Sequence, residues 1–446
     1  MRTAQAASKP DGAHKSMTLS TPGVDTLASR SAGPGANWAG TYSYRAPLLV
    51  SAKSVSEVIE AVSRPGRVRA LGTRHSFNDI ADTTGTLVSV LDLDPGMTID
   101  PVGRTVSVGA GTSYGVLVTF LQQHGWALHN TGSLPHISIG GATAQGTHGS
   151  GNANGNLSTA VRALEIVDAR GTVRSVQSGD LDFEGHVVAL GALGIVVRIT
   201  LAIEPSYDVR QDVFKDLSWD AVLDDVTDVM ASAYSVSLFT NWSGDTLSEA
   251  WLKTRLDQAD APPPMVAGGT IQNVADVQIH EGEAANLTIQ GGLPGPWSER
   301  LPHFRADAKP SNGDEIQSEY FVELSRAADA LQAVRALHES ITPLLLVSEL
   351  RSVAADELWL SPAFEQDVLG IHFTWRNDPK AVAPVLKRIE TALAPFNPRP
   401  HWGKTQALSP ELVAGLYPRL PDFRRLLDRW DPERRFSNAR LQQLFG

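Results

Sequence analysis

Apolar and polar residues change period several times along this chain. Behind Ser54, which can cap a helix, Val55, Val58, Ile59, Ala61 and Val62 recur at helical spacing. Short apolar runs at Leu48–Val50, Val68–Leu71, Leu87–Leu91 and Thr105–Val108 predict strands. Helical spacing returns at Tyr114–His124, with Val116, Leu117, Phe120 and Leu121 expected on one buried face. Strands follow at Val161–Asp168, Val173–Val176 and Gly194–Ile203. Beyond residue 207 the pattern predicts strands at Val209–Phe214 and Val236–Asn241, and helices at Trp219–Met230 and Ala327–Ile341. A long irregular connection runs from Pro262 to Pro296. Short helices mixed with short strands imply an α+β fold.

Three late segments alternate more strictly. Gln317 and Glu319, Glu349 and Arg351, and His372 and Thr374 each stand two residues apart in a strand-like run. That spacing puts each pair on one face of a sheet. Periodicity alone favours a solvated sheet face, which antiparallel sheets commonly have. The alternative is a polar surface turned toward a ligand.

Two segments carry ligand chemistry. In Arg67–Ile80 a short strand runs into a turn where Gly72, Thr73, Arg74, His75 and Ser76 crowd donors together, as in an anion nest. The segment Gly132–Gly151 holds six glycines and many small hydroxyl residues. Glycine lets backbone approach a ligand closely. Such small side chains suit neither an ordinary core strand nor an ordinary helix, and Leu134, Ile137, Ile139 and two histidines do not suit a linker. The glycine spacing is not the dinucleotide fingerprint of a doubly wound sheet.

Composition narrows the classes. The 446 residues allow two domains sharing a ligand, and 42% hydrophobic with 20% charged residues is a globular balance. A net charge of −11 without a basic stripe argues against nucleic acid. No apolar run has the length of a membrane span. The absence of cysteine excludes disulfides, thiolate metal sites and a cysteinyl cofactor bond, and fits a cytoplasmic enzyme. The histidines show no metal-ligand spacing, so no metal is expected. Residues 1–34 lack the apolar core of a secretory signal and read as a disordered leader.

The histidine loop and the glycine-rich stretch together resemble the vanillyl-alcohol oxidase flavoproteins. Asn37–Gly40, Gly132–Ser138, Gly146–Gly151, Tyr234–Thr240, Pro294–Trp297, Arg300–Arg305 and Pro400–Lys404 are similar to the alditol oxidase branch. The likeness covers residues 37–440. It implies a two-domain fold: an FAD-binding domain at 35–206, a substrate domain with a mixed or antiparallel sheet at 207–398, and a segment at 399–446 returning to the first domain. It implies FAD bound by Ala70, Leu71, Gly72, Thr73, Arg74, His75, Ser76, Ser133, Ser138, Gly141, Ala144, Gln145, Gly146, Thr147, Ile195 and His401, with His75 as the covalent ligand. Ser133, Glu349, Arg351, Thr374 and Lys404 match that branch's substrate contacts, and Gln317 and His372 line the same pocket. Arg351, Lys404 and Glu349 are the catalytic candidates, and a small residue at Gly132 would admit dioxygen. The implied reaction oxidises the C1 hydroxyl of a small polyol such as xylitol or sorbitol and makes hydrogen peroxide. A monomer without nucleic-acid or membrane partners is expected. Arg74 departs from the family's small residues before the histidine. Leu350 and Ser352 are mild departures expected to face away from the sugar. An aldonolactone oxidase of the same superfamily shares the Glu-x-Arg and His-x-Gly-Lys patterns, and a noncatalytic sugar-binding relative is the more distant alternative.

Overall fold

The late alternating segments close into a ten-stranded antiparallel sheet. A computed structural model describes residues 33–272, 284–308 and 314–446. The expected leader therefore lies outside the described residues except for its last two positions, as does part of the Pro262–Pro296 connection. The main path of the sheet runs Met265–Val266, Gly269–Ile271, Asp208–Lys215, Glu249–Arg255, Ser235–Thr240, Leu345–Val353, Val368–Arg376, Glu315–Glu323, Arg399–Pro400. Register brings the predicted pairs together. Gln317 lies opposite Thr374, and His372 lies between Glu319 and Glu349.

The two faces of this sheet differ completely. On one, Tyr320, Val322, Leu350, Ile371, Phe373 and Trp375 pack against the helices Ala327–Arg335 and Pro379–Leu393. Leu350 and Ser352 thus point away from the polar face, as expected. On the other face Gln317, Glu319, Glu349, Arg351, His372 and Thr374 are each no more than 9% exposed. The solvated-face reading fails, because this polar face is covered.

The cover comes from the first half of the chain. Leu48–Ser51, Thr86–Ser89 and Val68–Leu71 form a parallel three-stranded sheet. A second, antiparallel sheet runs Thr98–Asp100, Thr105–Gly109, Ile195–Ala202, Val161–Val167, Val173–Gln177. Ser54 caps the helix Val55–Ser63 by accepting from the Glu57 N–H at 3.3 Å. The architecture is α+β.

Several boundaries differ from expectation. Helix Tyr114–Gln123 buries Tyr114, Leu117, Val118 and Leu121, whereas Val116 is 49% exposed. The apolar face is rotated because Tyr114 joins it one turn before Leu117 and Val118. Trp219–Met230 breaks at Asp225, whose backbone is non-helical and whose side chain caps a second piece, Val226–Met230. Ala327–Ile341 likewise divides into Ala327–Arg335 and His338–Ile341. The glycine-rich stretch contains a short helix, Ile139–Ala144, that its small side chains let pack close to Ala110. Strand Glu249–Arg255 escapes the periodic reading because all seven residues are buried, which erases alternation. Among the described residues no helix is long and apolar enough to cross a membrane.

The chain end returns to the first strands. The Val68 N–H donates to the Arg435 carbonyl at 2.9 Å. Asn438 donates through Nδ2 to the Asp79, Ile80 and Asp82 carbonyls and accepts the Leu441 N–H at 2.9 Å, capping Ala439–Phe445. One side chain thus ends a loop and starts a helix. Asn438→Ala is predicted to lower unfolding free energy by about 2 kcal/mol or more. Denaturant titration checks this, and an unchanged midpoint would refute the role.

Candidate active site

The strand Val68–Leu71 ends at Gly72, and the chain there turns sharply past Ser138. A Cβ on Gly72 would sit 2.5 Å from Ser138 Oγ, so any larger residue would force that hydroxyl to move. Arg74 follows with φ 65°, a conformation that costs a non-glycine residue energy and is common at functional sites. The loop is held from two sides. Asn37 Nδ2 donates to the Ser76 carbonyl at 3.0 Å, and the Trp38 N–H to the Arg74 carbonyl at 2.9 Å. The Phe77 N–H donates to Gly403 at 2.7 Å, and Asn78 Nδ2 to the carbonyls of Trp402 and Lys404. This puts His75 and Lys404 on hydrogen-bonded neighbouring segments.

Between this loop and the polar sheet face lies a cleft of about 270 Å³, partly open to solvent. Ala70, Leu71, Gly72, Thr73, Arg74, His75 and Ser76 line one wall. Gly132, Ser133, Ser138, Gly141, Ala144, Gln145, Thr147 and His401 line its depth. Gln317, Glu349, Arg351, His372, Thr374 and Lys404 line the sheet side. Two expected residues do not line it. Ile195 sends its side chain into the core beside Val68 and Val88, and strand alternation leaves Gly194 and Val196 facing the cleft instead. Gly146 is a left-handed turn residue against Pro362.

The His75 ring stacks on Trp38 with centroids 5.2 Å apart. Both its nitrogens are buried without a hydrogen-bond partner, as is Ser138 Oγ. Burial, then the neighbouring Lys404 and His136, lowers the His75 pKa to about 4. The ring is therefore neutral at physiological pH, with a nitrogen lone pair free.

On the sheet face Arg351 Nη1 donates to Ser133 Oγ at 3.1 Å, tying sheet to glycine-rich stretch. Its Nη2 reaches Glu319 at 3.4 Å, and Nε lies 3.5 Å from Glu349 without a well-directed hydrogen bond. Glu319 also takes His148 Nε2 at 3.0 Å and lies 3.3 Å from His372 Nδ1. Burial by itself would raise the Glu319 carboxyl, but the His148 and His372 rings hold it well below the usual carboxylate range. Glu349 follows the same pattern: burial opposes ionisation, and Arg351 and His303 overcome it. Lys404 Nζ donates to Gln317 Oε1, and Gln317 Nε2 to Glu315. Enclosure lowers the Lys404 pKa to about 8, partly offset by Glu319 and Glu315.

The sequence reading passes over Glu319 as a site residue, along with Glu315, His148 and His303. Glu319 was signalled by its spacing from Gln317. His148 and His303 stand inside the Gly146–Gly151 and Arg300–Arg305 segments.

Similarity to known proteins bears on this arrangement. A family model described as an FAD binding domain matches residues 46–177, and one described as D-arabinono-1,4-lactone oxidase matches 312–444. An alditol oxidase from Streptomyces sp. (strain IKD472 / FERM P-14339) is 43% identical over 92% of this chain and 98% of its own. An L-gulono-1,4-lactone dehydrogenase from Mycobacterium tuberculosis is 27% identical over 92% of this chain and 98% of its own. A cholesterol oxidase structure from B. sterolicum shares the fold, with TM-score 0.73, 15% identity and coverage of 92% and 96% of the two chains. With 43% identity across nearly the full length of both chains, this chain belongs to the alditol oxidase family of vanillyl-alcohol-oxidase-type flavoproteins.

Proposed function

We propose that the protein oxidises the C1 hydroxyl of alditols such as xylitol or sorbitol with FAD, passing the electrons to dioxygen and releasing hydrogen peroxide. The observation that carries this reading is the covered polar face of the sheet, whose Gln317, Glu349, Arg351, His372 and Thr374 line a cleft whose far wall is the His75 loop. A polyol brings a hydroxyl on every carbon, and a site built to pair them rejects analogues that leave its buried groups unpaired. The 43% identity to an alditol oxidase supports the same substrate class.

The residues present fit FAD. Gly72 and Gly141 keep side-chain bulk away from Ser138 Oγ, which is left to be satisfied by a ligand. His75, neutral and stacked on Trp38, is the proposed attachment point. When bound, FAD supplies an acceptor for the substrate hydride and a route for its electrons to dioxygen. A Cβ on Gly132 would meet only ordinary van der Waals contacts, so nothing crowds that position. This leaves room for dioxygen.

Arg351 and Lys404 bind and polarise the reacting hydroxyl, and Glu349 orients a neighbouring one. Lys404 Nζ, the group with a pKa near 8, takes the hydroxyl proton. Arg351 remains cationic and stabilises the developing alkoxide.

Three tests follow. Purified enzyme in air should form peroxide with xylitol and not with a γ-lactone; the reverse preference would favour the aldonolactone oxidase reading. Flavin fluorescence should stay with the acid-denatured polypeptide on a gel and vanish in His75→Ala; a dark wild-type band would count against the covalent bond. Only unprotonated Lys404 accepts a proton, so kcat/KM should rise with pH and level off above about 8. Lys404→Met should abolish that rise and lower the rate by about 10²- to 10⁴-fold. A variant with the same pH profile would exclude Lys404 as the base.

A further inference from the structure

From His303 on the cleft wall the polar face continues into a buried chain of groups with no part in the chemistry above. Lys253 lies on strand Glu249–Arg255, two strands from Leu345–Val353 and on the same face as Arg351 through the pairings of Ser237 with Trp251 and Arg351. It is 1% exposed. A lysine so enclosed is rare unless its ammonium is paired. Among the described residues Lys253 makes no salt bridge. Its Nζ donates to the Leu301 carbonyl and to His303 Nδ1, the latter at 3.0 Å. On the opposite side of that ring, Nε2 lies 2.8 Å from Glu349 Oε1. Ser237 Oγ lies 3.3 Å from the same nitrogen.

The donor sequence has one consistent arrangement. The Glu349 carboxylate can only accept, and Lys253 Nζ has protons to donate even though enclosure lowers its pKa to about 7, so His303 Nδ1 accepts. The ring proton then sits on Nε2 and is given to the Glu349 carboxylate. Among the described residues, the other Glu349 oxygen, Oε2, makes no hydrogen bond. We propose that Lys253 and His303 are positioning residues that fix Glu349 for recognition of a substrate hydroxyl. Lys253 sets the ring tautomer, His303 holds Oε1, and Oε2 is left to accept from a hydroxyl beyond the reacting carbon. Neither residue touches the reacting atoms. Lys253 is hydrogen-bonded toward the cleft through the His303 ring, and its charge also acts directly on Glu349 and Arg351. Burial and the adjacent Lys253 also lower the His303 pKa to about 4, which keeps the ring neutral, as this arrangement requires.

The inference rests on the polyol reading, and the two can fail separately. Flavin-loaded, full-length wild type is first assayed with xylitol and a γ-lactone. Turnover of the lactone alone removes the polyol reading and this proposal with it. With xylitol active, His303→Leu, His303→Gln and Lys253→Met are compared using xylitol and its 2-, 3- and 4-deoxy analogues. Loss of a hydrogen bond to a charged group predicts that His303→Leu raises KM for xylitol about 10-fold or more. It should also shrink the preference for xylitol over one of the deoxy analogues, since that hydroxyl no longer finds an oriented oxygen. Glutamine can accept from Lys253 and donate to Glu349 at once, so His303→Gln should restore most of both. Lys253→Met leaves the ring free to change tautomer and should give an intermediate loss of discrimination.

A purely structural role predicts otherwise: turnover of every analogue falls equally, in step with the melting temperature. That result overturns the proposal, as does a His303→Gln enzyme as impaired as His303→Leu. Should His303→Leu fail to fold, Lys253→Met and His303→Gln still decide it. Wild-type discrimination in Lys253→Met contradicts the relay, and reduced discrimination supports it.

Discussion

The structure depends on enclosing a charged sheet face away from water. Removing a carboxylate or guanidinium from water costs several kcal/mol per ion unless partners replace the solvent. The carboxylates and Arg351 on this face are accordingly tied to one another or to histidines. Arg351 stands between Glu319 and Glu349, Glu319 takes His148, and Glu349 takes His303. What is left unpaired is as informative as what is paired. Among the described residues Ser138 Oγ has no hydrogen-bond partner, Arg351 Nε and His372 Nδ1 have only a poorly directed carboxylate at 3.5 and 3.3 Å, and all three residues line the cleft.

Precision at such a site requires a rigid backing. The opposite face of the same strands supplies it, with Trp375, Phe373, Ile371 and Leu350 fully buried under two helices. Period-two geometry makes the division sharp: each step along the strand changes sides, so catalytic candidates and core residues alternate in sequence. The His75 loop has no such sheet beneath it. It is positioned by hydrogen bonds from Asn37 to the Ser76 carbonyl, from the Phe77 N–H to Gly403 and from Asn78 to the Trp402 carbonyl, which tie it to two distant parts of the chain.

Much of this was legible in the sequence, and the reasons are specific. Glu349 with Arg351 and His372 with Thr374 could be placed on one face because strand alternation is a local property. Whether that face met water or a ligand was not local, and only the resemblance of the glycine-rich and histidine segments tipped the reading. Glu249–Arg255 was invisible because burial on both sides removes periodicity, and Lys253 was hidden with it. The breaks at Asp225 and after Arg335 depend on backbone geometry that apolar spacing does not report. That Ile195 turns its side chain to the core while Gly194 and Val196 line the cleft could not be read from the sequence, because one step along a strand changes sides.

The most direct test of the account is anaerobic reduction of the bound flavin by xylitol, followed by absorbance, with ordinary and C1-deuterated substrate. The account predicts that xylitol bleaches the flavin saturably and that deuterium at C1 slows the bleaching. A flavin that stays oxidised under saturating xylitol would contradict it.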